Sequence, residues 1–167
     1  LSEWLSILEA SFLVFRLQPC FSNISKRTVK SPKLYFTEVG LASYLLGLES
    51  PLHVSRDPLR GNLFENLVVA DAMKARLNCG KDPRLFFLRT EKGFEVDLIV
   101  REGRALWPVE IKSAATFHPD FVSRLKRFCA EEPDAATPLL VYDGEGYADR
   151  SGVKCANFRE DPFKEHE

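Results

Sequence analysis

Between Glu95 and Lys112 the chain reads "EVDLIVREGRALWPVEIK", two short, mostly apolar runs around a glycine that alternate with polar residues over Glu95–Leu98 and Val109–Lys112. Period-two alternation is the signature of a half-buried strand. Gly103-Arg104 supplies a two-residue reversal with glycine first, as a type II′ turn requires. That turn sets Glu102 opposite Ala105, Val100 opposite Trp107, Leu98 opposite Val109 and Val96 opposite Ile111. The apolar pairs share one face, and the other face pairs Asp97 with Glu110 and Glu95 with Lys112. A slip of one residue would set Val109 against Asp97, so the pattern specifies its own register. Pro108 donates no ladder hydrogen bond, which predicts an edge position or a bulge near it.

The same reading extends over the chain. From Gly61 onward it predicts a helix over 62–77, strands over 84–89, 94–101 and 105–112, a helix over 119–131 and a strand over 138–142. In the 119–131 helix Phe121, Leu125 and Phe128 share an apolar stripe, while Arg124, Lys126 and Arg127 point elsewhere. Pro119 suits the first turn. Helix, three strands, helix, strand predicts an α/β domain with a mixed sheet over 61–167. Before it, 1–50 alternates helix ("LSEWLSILEA"), strand ("FLVFRLQP"), basic connection ("SNISKRTVKSPK"), strand ("LYFT") and helix ("GLASYLLG"), in the manner of a small winged-helix-like section. Residues 51–60 hold two prolines and no sustained period, and are expected to be a linker.

Composition narrows the class. The 167 residues, 45% hydrophobic and 28% charged, describe an ordinary soluble globular protein, expected in the cytoplasm. The absence of an eighteen-residue apolar run argues against a membrane partner. The chain starts at Leu1 inside what reads as a helix, so a longer protein is expected around it. With a net charge of −1, binding of nucleic acid would need a local basic surface. Lys26, Arg27, Lys30 and Lys33 in the basic connection are candidates for phosphate contacts, as are Arg124 and Arg127; a solvated hairpin loop is the competing reading of the former group. Cys20, Cys79, Cys129 and Cys155 lack C-x-x-C spacing and are expected to be buried free thiols. His53, His118 and His166 have no ligand spacing.

Two carboxylates directly opposed across a ladder lie about 4.5–5.5 Å apart at Cβ and repel. Asp97 and Glu110 therefore call for a proton or a cation between them, and a hard divalent ion such as Mg²⁺ or Mn²⁺ prefers such oxygens. Lys112, two residues beyond Glu110, emerges on the same strand face and would place an ammonium beside a bound anion such as a scissile phosphate. Glu65 lies on or beside the apolar side of its helix and needs a partner. Two readings stay open for it: a third metal ligand, or a structural ion pair with an arginine such as Arg89.

The spacing D-x₁₂-E-x-K resembles the PD-(D/E)xK nuclease superfamily, whose restriction-endonuclease-like core runs α-β-β-β-α-β. The resemblance implies a divalent-metal-dependent nuclease acting on DNA, with Asp97, Glu110 and Lys112 as catalytic residues and Glu65 beside Asp97 and Glu110 as a metal ligand. No proline precedes Asp97 and no glutamine soon follows Lys112, both departures from the wider pattern. Together with "WLSILEASFLVFRL", "KRTVKSPKLYFTEVGLASYLLG" and "GNLFENLVV", the site also resembles the C-terminal domain of unknown function that follows an AAA-type ATPase domain. That resemblance implies an ATPase partner, and no G-x-x-x-x-G-K-[ST] occurs in this chain. The alternative is a catalytically silent DNA- or protein-recognition module regulating that ATPase.

Overall fold

The Gly103 reversal forms as predicted. Gly103 takes φ +58° while Arg104 stays out of the left-handed region, as a type II′ turn requires. In the computed structural model, which describes residues 2–20 and 28–163, strand β4 (Glu95–Glu102) and strand β5 (Ala105–Lys112) pair antiparallel from Glu102↔Ala105 through Val100↔Trp107 to Leu98↔Val109.

These two strands are the middle of a larger sheet. The remaining elements are α1 (Ser2–Ala10), β1 (Val14–Pro19), β2 (Lys33–Phe36), α2 (Val39–Leu45), α3 (Pro51–Arg56), α4 (Arg60–Asn78), β3 (Leu85–Arg89), α5 (Ser123–Glu131), β6 (Leu139–Tyr142) and β7 (Lys154–Asn157). A 3₁₀ turn over Pro119–Val122 leads into α5. The seven strands run in the order β2-β1-β3-β4-β5-β6-β7. The β1–β2, β3–β4 and β4–β5 pairs are antiparallel, and β1–β3, β5–β6 and β6–β7 are parallel. The fold is mixed α/β.

Helices cover both faces, and each face has its own core. On one side Val68, Val69 and Ala72 of α4 pack on Leu17, Phe87, Leu98, Val100, Val109 and Ile111. On the other, Leu125 and Phe128 of α5 pack on Leu88, Val96, Ile99, Leu106 and Leu140. Fully burying a side chain of this size contributes about 1.5–3 kcal/mol, so each layer supplies a large share of stability. Of the expected stripe Leu125 and Phe128 are buried on α5, while Phe121 is half-buried in the preceding 3₁₀ turn, and Arg124, Lys126 and Arg127 lie outside.

Several expectations change. Val96 does not share the face of Leu98 and Val100. The β3–β4 register shifts between Phe86↔Ile99 and Leu88↔Val96, so Asp97 and Leu98 together oppose Phe87. This is a β-bulge, and one extra residue reverses the alternation beyond it. Pro108 is neither at an edge nor at that bulge: it faces Ile99 inside the sheet, and the parallel ladder to β6 begins one residue later, at Val109↔Leu139. The missing N–H of Pro108 thus falls before that ladder starts.

The expected winged-helix-like section is not a separate unit. β1 joins β3 through Gln18↔Phe86 and Pro19↔Phe87 and β2 joins β1, which makes both strands part of the one sheet. Residues 51–60 are not an extended linker either. Ser50 caps α3 by accepting from the His53 N–H, and Pro51 occupies the first turn, where its missing donor is not needed. At the β2 edge Asn66 of α4 accepts from the Phe36 N–H and donates to the Phe36 carbonyl, both at 2.8 Å. The four cysteines are free; Cys20 and Cys155 are buried, whereas Cys79 is exposed, contrary to expectation. No helix among the described residues is long and apolar enough to cross a membrane.

Candidate active site

The bulge places Asp97 beside the point where β4 and β5 part. Past Leu98↔Val109 a regular ladder would offer the Ile111 N–H a backbone carbonyl. Instead that N–H donates to Asp97 Oδ2 at 2.9 Å. The Asp97 carboxylate therefore replaces a main-chain acceptor and is held in the seam. Glu110 alternates away from Val109 and Ile111, is 1% exposed, and lies 3.6 Å from Arg124 of α5 through Oε1. Lys112 joins the two acids: its Nζ lies 2.5 Å from Glu110 Oε1 and 3.5 Å from Asp97 Oδ2. The three residues singled out by D-x₁₂-E-x-K thus meet around one ammonium.

That ammonium does not satisfy the acids fully. Glu110 Oε2 is buried without a hydrogen-bond partner. Burial, with Asp97 nearby, pushes the Glu110 carboxyl up to about 7 against the pull of Lys112 and Arg124. Burial also raises the Asp97 carboxyl, opposed by Lys112. For Lys112, burial works against the charge, but Asp97 and Glu110 outweigh it and hold the ammonium above its usual range.

Mg²⁺ commonly uses only one or two protein carboxylates and keeps waters or substrate oxygens for the rest of its shell. Asp97 and Glu110, with an uncommitted buried oxygen, fit that donor set. Glu65 is paired beside it, close enough that its charge also raises the Asp97 carboxyl. Its Oε1 accepts from Lys33 Nζ at 2.8 Å and from the Tyr35 hydroxyl at 2.5 Å. Among the described residues no group of three or more His, Cys, Asp or Glu side chains converges to hold a metal. Of the two readings open for Glu65, the ion pair is the one formed, with Lys33 in place of Arg89.

Lys33 is corrected as a phosphate contact. Its ammonium sits between Glu65 and Glu95, 2.7 Å from the latter, and 5.3 Å above the Phe87 ring. Glu95 also receives two hydrogen bonds from Arg89, at 3.0 and 2.9 Å. Burial works against the Glu95 charge, yet Arg89 and Lys33 hold its carboxyl below the usual range. Glu95 therefore pairs with Lys33 and Arg89 and not with Lys112. Burial, then Glu65, raises the Tyr35 hydroxyl, so Tyr35 remains a hydrogen-bond donor.

The other basic candidates divide. Lys26 and Arg27 lie outside the described residues. Lys30 is exposed. Arg124 stands at the site, half exposed, while Arg127 is exposed, pairs with Glu131 at 2.8 Å and lies 4.6 Å over Phe94, away from the acids. Two residues were missed. Tyr35 completes the Glu65 pairing, and its sequence signal was its position two after Lys33 on β2. Arg60 donates to the Ser113 carbonyl at 2.6 Å and so pins the chain just past Lys112; nothing local in the sequence marked it.

Beside Lys112 the chain ends of β5 and β6 open a cleft. Lys112 pairs with Tyr142, and Asp143 donates its N–H to Ala114 O at 3.1 Å. Gly144 is pressed against this turn: a Cβ there would come within 2.3 Å of the Tyr142 ring and 2.4 Å of Ala115 O.

Comparison with known proteins gives membership rather than activity. A second domain of unknown function, DUF8612, matches residues 1–52. Uncharacterized proteins of Mycobacterium bovis and Mycobacterium tuberculosis are each 33% identical over 143 residues, covering 86% of this chain and 31% of their own length. The chain thus spans about a third of these curated relatives. No solved structure matches it significantly. With residues 60–159, α4 through β7, falling within the match, the chain belongs to the family described as "Domain of unknown function (DUF4143)".

Proposed function

We propose that the Asp97–Glu110–Lys112 cluster is a divalent-metal-dependent site for hydrolysis of DNA phosphodiesters, on a restriction-endonuclease-like core running from α4 to β6. The observation that carries this reading is the buried, unpartnered Glu110 Oε2 beside Asp97 and Lys112. An oxygen left in that state costs stability unless a proton or cation meets it. Bound there, Mg²⁺ or Mn²⁺ would supply a water of lowered pKa and polarisation of a phosphoryl oxygen. Asp97 and Glu110 would be its protein ligands. Lys112 would turn toward the scissile phosphate and stabilise charge developing on it. Arg124, exposed beside Glu110, would contact a neighbouring phosphate, with Lys30 a candidate further along the strand. An AAA-type ATPase, by the family resemblance, is the proposed partner in the longer protein.

The test is cleavage of single-stranded and duplex DNA with Mg²⁺ or Mn²⁺, together with metal titration by calorimetry. Lys112→Ala should lose at least about 100-fold in rate, and Asp97→Ala should lose metal binding. Absence of metal binding by the wild type, or an equal rate in Lys112→Ala, would remove the nuclease reading.

One observation favours a second reading. Lys112 already draws both carboxylates to one ammonium, and Glu65 is committed elsewhere. A silent recognition module of the ATPase would keep that ion pair and bind DNA without metal or turnover.

A further inference from the structure

The cleft next to Lys112 has a volume of about 610 Å³, in the range of small-ligand sites. The strand that carries Lys112 runs into one wall, through Ala115, Thr116 and Phe117, and Tyr142, its partner on β6, lines the floor. Arg150 and Tyr147 line the cleft as well. The Arg150 guanidinium lies 4.1 Å from the Phe117 ring centre and 4.9 Å from that of Tyr147. It is half-buried and, among the described residues, no carboxylate pairs with it. Three acids also line the cleft, Asp143, Glu145 and Glu160, of which Asp143 is committed to Arg159 at 2.5 Å, with Arg60 at 3.8 Å. Glu145 accepts from the Tyr147 hydroxyl at 3.0 Å, which orients that ring.

Two rings thus hold a cation whose side-chain N–H groups have no acceptor among the described residues. Aromatic faces receive bases, and a guanidinium held by rings rather than by an acid is free to receive a phosphate. Tyr147 is 40% exposed, so part of its surface is open to a base. We propose that this cleft is a nucleotide subsite, with a base stacked at Tyr147 and Phe117 and its phosphate on Arg150, and that the substrate is therefore a single strand. A base within a duplex is already stacked and paired, and could enter only after being unpaired. This inference rests on the nucleic-acid reading of the Asp97–Glu110–Lys112 site and specifies which form of nucleic acid that site receives.

Binding is tested apart from cleavage. Fluorescence anisotropy with a short labelled oligothymidylate, in EDTA and at low salt, reads the cleft without any metal. Wild type should bind the single strand more tightly than a duplex of equal length. Tyr147→Ala and Arg150→Ala should each weaken binding by about tenfold, while Tyr147→Phe, which keeps the ring, should stay within about twofold. Thermal melting of each variant confirms that it is folded. Equal binding of single strand and duplex, unchanged affinity in Tyr147→Ala and Arg150→Ala, or a Phe variant as weak as the Ala variant would each overturn the proposal. If the expected pattern holds while no cleavage occurs with Mg²⁺ or Mn²⁺, the subsite stands and only the catalytic reading falls. If cleavage occurs and the cleft variants bind normally, the subsite falls alone.

Discussion

Among the described residues, two clusters each place one lysine between two acids. Lys33 lies between Glu65 and Glu95, and Lys112 lies between Asp97 and Glu110. In the first, Tyr35 adds a donor to Glu65 and Arg89 adds two to Glu95. In the second, the Ile111 N–H serves Asp97, Arg124 stands 3.6 Å from one Glu110 oxygen, and the other oxygen has no partner. The outcomes diverge accordingly: the Glu95 carboxyl is held down and the Glu110 carboxyl is pushed up. Donor supply relative to carboxylate oxygens, and not the presence of a lysine with two acids, separates a structural network from a site with unmet demand.

The largest expected effect is at the satisfied cluster. Lys33→Met leaves Glu65 and Glu95 facing each other with less compensation, and should cost about 3 kcal/mol in urea unfolding. That figure is at the low end for broken buried pairs because these side chains keep some solvent contact. A loss under about 1 kcal/mol would mean that Tyr35 and Arg89 suffice alone.

At the unmet cluster the sign reverses. The folded state favours neutral Glu110, whose carboxyl stands at about 7 against an ordinary 4.5. Its contribution to stability is therefore present below 4.5 and lost as pH rises through about 7. At 1.36 kcal/mol per pH unit the span is about 3 kcal/mol. In EDTA, Glu110→Gln should abolish most of that fall and exceed wild type near pH 8 by up to about 3 kcal/mol. A variant that tracks wild type across this window would show that Glu110 is satisfied.

The smallest effect sharpens the contrast from outside. Arg124 is nearly half exposed, so Arg124→Ala should change stability by less than about 1 kcal/mol. It should nevertheless raise the Glu110 titration midpoint further, because Arg124 is one of the groups pulling it down. Carbon-13 NMR of the carboxyl would report the direction. An unmoved midpoint would take Arg124 out of the site.

Much of this was legible from local pattern. The Gly103 turn and the register as far as Leu98↔Val109 follow from alternation and glycine placement; the ladder stops there, short of the expected Asp97–Glu110 and Val96–Ile111 pairs, and Asp97 reaches Lys112 by way of the bulge. The bulge at Asp97 and Leu98 was not legible, because it is set by pairing with β3 rather than by the hairpin, and period two within one strand cannot register an inserted residue. Glu65 was recognised as needing a partner, but the partner, thirty-two residues away in sequence on β2, could be found only once β1 and β2 had joined the sheet. α3 was misread because Pro51 was taken as a breaker when, after Ser50, it starts a helix. β7 was missed altogether; its four residues, "KCAN", are too few for a period to show.

Asn66 has a consequence for the molecule's company. Phe36 opposes Val14 in the ladder, and both Phe36 main-chain groups are spent on one side-chain amide. Outer strands with free main-chain groups invite strands from neighbouring molecules. Here an amide from a helix stands in for the next strand at Phe36, so that end of the outer edge is closed to pairing with a neighbouring molecule.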